Sequence, residues 1–302
     1  MASGRVVGIV ALCAAAAVAA IVGGTVLLSR NERTTVACVP KAAPPWPVLQ
    51  LELGLRRDAE AQALRQAQVL LDSDCEATQA AAIFKRYSSV EARLGLAFAE
   101  WTGPQSLPGV QAIVADAGDS PVALINLGWA DYQAGQNADA KSAWKRTASG
   151  FADSPYAVDA LDALNPGVAP GLPPIVVDAS AVPATARTAL VAGVRFWELE
   201  HVVSARQQFD RAARLAPSSP ETLVAAAVAR FSPAEPLAPF PHLGPLSGQF
   251  PGDAIVRLHL GELLLWTRQV AKGTKQLRLA VSEQPASIYA KTAERILKAL
   301  GE

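Results

Sequence analysis

The chain has 302 residues, of which 51% are hydrophobic, 18% charged and 6% aromatic, and its 27 basic residues are balanced by 27 acidic ones. A net charge of zero provides no field to gather polyanions, which argues against a nucleic-acid partner held by many phosphate contacts. The apolar fraction suffices for a packed core, which excludes disorder over the whole length.

The first element is apolar. Val6 to Ser29 is a run of 24 uncharged residues between Arg5 and the group Arg30, Glu32 and Arg33. As a helix rising about 1.5 Å per residue it reaches across a hydrocarbon core of about 30 Å, so residues 1–33 read as an N-terminal transmembrane anchor. A cleaved secretory signal is the competing reading. Thr35-Val36-Ala37 would serve as its cleavage site, but Arg30, Glu32 and Arg33 separate that site from the apolar run. Arg5 faces Arg30, Arg33 and Lys41 across the segment, so basic flanks do not orient it. Cys38 and Cys75 are the only cysteines beyond the run. They could pair as a disulfide in an exported domain, or they are two unrelated thiols. This possible pairing, together with the short N-terminal tail, favours a single-pass protein with its bulk outside the cytoplasm.

Residues 34–47 carry Pro40, Pro44, Pro45 and Pro47 and read as a Pro-rich linker. Beyond it, residues 48–302 are expected to be helical. Leu49, Leu53, Leu64, Val69 and Leu70 suggest one long amphipathic helix to about Leu71, and Asp74 a cap for a helix from Cys75 to about Tyr87. Pro174-Ile175-Val176-Val177 reads as extended linker.

A repeat then emerges. Gly128, followed by Ala140, Trp144 and Ala148, shares its register with Gly193, followed by Ala205, Phe209, Ala212 and Pro217. Gly261, followed by Gly273, Leu277, Ala280 and Pro285, falls in the same register. Gly193 and Gly261 lie 68 residues apart, Gly128 and Gly193 65, and Gly95 stands 33 before Gly128. A small residue in one helix facing a large one in the next allows antiparallel helices to approach closely, and such units bury their apolar faces only by stacking.

This pattern resembles the tetratricopeptide repeat (TPR) family, which implies an all-α solenoid of antiparallel helix pairs behind the single transmembrane helix. The good segments are 121–152, 186–217 and 254–285, with a looser one at 88–120. Helices at about 155–164 and 221–231 run into Pro-rich crossings near 165–185 and 232–251, which depart from a regular superhelix. Residues 287–300 read as a closing cap helix.

Sequence signals for chemistry are few. His201, His242 and His259 are scattered, which suits neither a metal nor a cofactor site, and no catalytic residue is assigned. His201 reads as a turn residue and His259 as an ordinary helix-face residue. Asp116 with Asp119, and Asp72 with Asp74, read as helix-end residues. The resemblance places Trp129, Tyr132, Val194, Trp197, Leu265 and Trp266 on or beside a concave groove. Aromatic residues there suit an apolar or aromatic peptide, since Val122, Ile125, Leu190 and Leu258 occupy much of the inner face. The expectation is a membrane-anchored scaffold for protein–protein interaction, with a protein or peptide partner, in a cell-envelope assembly. The alternatives are a structural module that self-associates, and an enzyme whose site lies in the Pro-rich crossings.

Overall fold

The computed structural model describes residues 46–72 and 76–302. The anchor expected over residues 1–33 and the Cys38–Cys75 pairing lie outside them. Among the described residues no helix is long and apolar enough to cross a membrane, and none forms a strand. They divide into two compact units, one ending at Leu164 and the other spanning Asn165–Glu302.

The first unit opens on an extended segment rather than the long helix read from Leu49 and Leu53. Leu49, Leu51 and Leu53 are buried, while Val48 before them and Glu52 between them are exposed and Gln50 is half-buried, which is the period-two pattern of an extended chain. Pro47 disfavours a helix on its N-terminal side, and Gly54, at φ +51°, turns the chain out of the segment. Helix α1 (Ala59–Asp72) follows, and the Asp58 carboxylate caps it by accepting from the Ala61 amide at 2.9 Å. Then come α2 (Ala77–Phe84), α3 (Val90–Ala99), α4 (Leu107–Ala117), α5 (Pro121–Gln133), α6 (Asn137–Gly150) and α7 (Pro155–Leu164).

The second unit again opens on extended chain, through the first Pro-rich crossing. It continues with α8 (Ala184–Glu198), α9 (Val202–Leu215) and α10 (Pro220–Val228). The second crossing folds into the short helices α11 (Phe240–Leu243) and α12 (Leu246–Gln249). Last come α13 (Ala254–Trp266), α14 (Val270–Glu283) and α15 (Ile288–Ala299), the expected cap.

Both units follow one plan. A helix pair (α1/α2, α8/α9) meets a third helix (α3, α10), and a connector leads to a second pair (α5/α6, α13/α14) on which a closing helix packs (α7, α15). The repeat glycines do what their spacing predicts. A Cβ at Gly193 would lie 2.6 Å from the Phe209 ring and one at Gly261 2.8 Å from Leu277, while at Gly128 it would collide with the Trp144 indole. Gly95 departs from the expected register, since it packs backwards against Phe84 of α2 instead of a residue further along. The looser repeat at 88–120 is therefore not a helix pair of the same kind.

Candidate functional site: a groove filled by extended chain

The six residues expected to line one groove are placed differently from one another. In the first unit, Tyr132 is 53% exposed, while Trp129 is half-buried and packs edge-on to Trp144 with ring centroids 5.0 Å apart. In the second unit, Trp197 is 3% exposed and Leu265 is buried, with Val194 and Trp266 half-buried. Leu265 turns away from any groove, because its Cδ2 would lie 2.9 Å from a Cβ at Gly273 and so cements α13 to α14.

Trp197 and Trp266 meet on the extended segment of their own unit, a strap over residues 168–178. The Trp266 indole N–H donates to the Gly171 carbonyl at 3.2 Å and that of Trp197 to the Pro173 carbonyl at 2.8 Å. The Ala169 amide donates to the carbonyl of Trp266 at 3.0 Å, and the Arg268 guanidinium to that of Pro166 at 2.8 Å. Further along, the Val176 amide donates to His259 Nε2 at 3.0 Å, and His259 Nδ1 sits 2.8 Å from the Ile255 carbonyl, which fixes the Nδ1–H tautomer. The Asp178 amide reaches both the Tyr289 hydroxyl, at 2.9 Å, and Glu221 Oε2, at 3.2 Å, and the Tyr289 hydroxyl donates to Glu221 Oε1 at 2.5 Å.

The first unit grips its own strap, residues 46–53, in the same way. The Asn126 side chain accepts from the Gln50 amide at 2.9 Å and donates to the Gln50 carbonyl at 2.8 Å, closing a two-point clamp on the main chain. The Glu52 amide donates to the Tyr156 hydroxyl at 3.0 Å, and Gln68 donates to the Leu49 carbonyl at 3.1 Å. Asn126 and His259 each stand two residues before a repeat glycine, and Tyr156 and Tyr289 each stand 30 residues further on. Glu91 and Glu221 occupy the second position of α3 and α10, and both act electrostatically on their unit's tyrosine. Aligned by these anchors, Trp46-Pro47-Val48-Leu49-Gln50-Leu51-Glu52 matches Leu172-Pro173-Pro174-Ile175-Val176-Val177-Asp178. The shared pattern is large apolar, Pro, any residue, aliphatic, any residue, aliphatic, acid, and the Pro and first aliphatic are buried in both.

Burial decides the protonation of the groove floor. It lowers the His259 pKa to about 4, so the ring stays neutral and its Nε2 remains an acceptor. It raises Glu221 to about 7 against the hydrogen bonds from Tyr289 and Asp178, and the charges of Asp253 and Asp178 add to the rise. Both tyrosines are pushed above their usual range, again chiefly by burial. Glu262 is 1% exposed, with neither carboxylate oxygen meeting a protein partner, and burial holds its pKa well above the usual range.

His259 is thus a wholly buried clamp rather than an ordinary helix-face residue. Sequence reasoning also passed over Asn126, Tyr156, Glu221 and Tyr289. The signal available was the twin spacing of Asn126–Tyr156 and His259–Tyr289. Polar groups do converge at the first crossing, where an enzyme site was considered, but His259, Glu221 and Tyr289 all bond strap backbone. At the second crossing lies an open depression of about 570 Å³ beside Arg230, Asp210 and His242, and none of its lining residues is Ser, Thr or Cys. Among the described residues no group of three His, Cys, Asp or Glu could hold a metal ion.

No family model matches the chain, and no curated protein does. Among solved structures it is similar to the TPR2AB-domain:pHSP90-complex of yeast Sti1, at 11% identity and a TM-score of 0.33, over 80% of this chain and 96% of that one. An overlap this loose says nothing about a ligand. The helical-repeat, TPR-like character of the chain rests on its own helix pairs and the glycine contacts between them.

Proposed function

We propose that the protein is a non-catalytic scaffold that mediates protein–protein interaction by holding extended segments of chain, tethered to a membrane by residues 6–29 with the repeat units on the extracytoplasmic side in a cell-envelope assembly. The observation that carries the reading is the double grip on extended backbone, by Asn126 and Tyr156 in one unit and by His259, Tyr289 and Glu221 in the other. Main-chain hydrogen bonds supply affinity for an extended segment while buried alternate side chains supply selectivity. The exposed apolar residues Tyr132 and Val191 provide contact surface outside the straps.

The test is photo-crosslinking in cells from Tyr132 and Val191, with Lys145 and Arg211 as exposed controls. Discrete protein adducts from the first pair alone are expected, and identical adducts from all four positions would reject the scaffold. Removing residues 1–33 should shift the protein from the membrane to the soluble fraction. Alkaline phosphatase fused after Glu302 should be active if the units are exported.

Self-association is the second reading, favoured by the pattern that the two straps share, since either strap of one copy suits a groove of another. A concentration-dependent mass in light scattering would support it.

A further inference from the structure

Two different sequences already sit on equivalent anchors, so each groove reads a pattern rather than one sequence. Three features are read: backbone amides two residues apart, a buried proline, and a buried aliphatic residue two positions after it.

The second groove contains a group its own strap leaves unused. His259, Glu262 and Trp266 fall at i, i+3 and i+7 on α13 and so share one stripe of that helix. The two outer residues bind the strap, His259 at Val176 and Trp266 at Gly171. Interpolating along the strap between these two contacts sets Glu262 level with Pro173 and Pro174. Proline has no amide hydrogen, and these two have no donor in their side chains. The carboxyl is consequently buried with neither oxygen bonded, an arrangement that natural interiors rarely leave in place. At the matching position the first groove has Trp129, which asks for no donor.

We propose that the second groove is a binding site for an extended segment of another protein that follows the strap's pattern but carries a lysine or arginine at the position of Pro173, its cation meeting Glu262, and that residues 168–178 fill the site as a tethered placeholder. Pro173 is buried in the strap, as Ala169 and Ile175 are, so a side chain at position 173 is directed into the groove. The cationic residue is what allows an external segment to win. The placeholder competes at an effective concentration of order mM, so a free copy of the strap gains no advantage, whereas a donor to Glu262 is an interaction the placeholder lacks. The inference rests on the scaffold reading and names the ligand class of one of its grooves.

The experiment uses the full-length chain in detergent and two fluorescent peptides, one with the native sequence of residues 170–179 and one with Pro173→Lys. Anisotropy should show the lysine peptide binding at least about tenfold tighter, with the preference lost in Glu262→Gln. In the wild-type chain, hydrogen exchange at the Val176 and Asp178 amides should accelerate when the lysine peptide is present. Equal binding of both peptides, or no saturation by either, overturns the proposal. Unchanged exchange at those amides also overturns it, and this second readout does not depend on whether Glu262→Gln folds. Adducts from Tyr132 and Val191 in cells, combined with failure of both peptides, would retain the scaffold and reject this ligand class.

Discussion

Seven residues after each repeat glycine the backbone enters the left-handed region, at Gly135 (φ 81°), Glu200 (φ 59°) and Arg268 (φ 60°). The turns inside α5/α6, α8/α9 and α13/α14 demand this conformation, and only the first of the three meets it with glycine. A non-glycine residue there costs roughly 1–2 kcal/mol. Glu200→Gly should therefore raise stability by about 1 kcal/mol, read as a higher denaturant midpoint at unchanged slope. Arg268→Gly relieves the same strain but forfeits the hydrogen bond to Pro166. Two further residues contribute opposite slopes to the pH response. Glu221 has its pKa raised to about 7 in the fold, so the stability linked to it is present below its ordinary 4.5 and is lost as pH rises through about 7. His259 is lowered to about 4, so its contribution is present above 6.5 and is lost as pH falls through about 4. The two slopes oppose each other in between. Relative to the wild type, Glu221→Gln should remove a decline of stability between pH 4.5 and about 7, and His259→Asn should remove a rise between about 4 and 6.5. Profiles parallel to the wild type for both variants would refute the assignment.

Among the elements, the strap of the second unit is held by hydrogen bonds that single atoms can remove. Tyr289→Phe deletes the hydroxyl that accepts from Asp178 and donates to Glu221. Leaving buried groups unsatisfied costs about 1–3 kcal/mol. The expected result is a destabilisation of that order, with faster exchange at the Asp178 amide than at amides of α13. His259→Asn should keep the strap docked, because asparagine already performs that role at position 126. The pairs α5/α6, α8/α9 and α13/α14 were legible in the sequence because each rests on one local relation, a glycine facing the residue 16 positions later. The straps were not, since their hydrogen-bond partners lie as far as 111 residues away. Leu49 and Leu53 also fit a helical spacing as well as an extended one, and only the burial of Leu51 separates the two. The groove residues were half legible for the same reason. Trp197 and Trp266 were found as aromatic residues on inner helices, but nothing local indicated that the chain itself would cover them.

At the scale of the molecule, the matching helix order and anchors make the two units variants of one module, each with its own buried cluster. The sequence conceals this because the anchor changes from asparagine to histidine and the connector from one helix to two short ones. Each module carries its strap, its pairs and its closing helix, so each should fold alone. Fragments 46–164 and 165–302 should each melt cooperatively by circular dichroism. A fragment that stays unfolded at low temperature would show that the module is not self-sufficient.

The straps also impose an order on biosynthesis. Glu52 emerges from the ribosome 104 residues ahead of the Tyr156 that receives its amide, and Asp178 emerges 111 ahead of Tyr289. At about 5–20 residues per second, each apolar strap waits roughly 5–20 s for its groove to be completed. The first segment made in each module is the last to dock, and during that interval both the segment and its unfinished groove are open to whatever else is nearby.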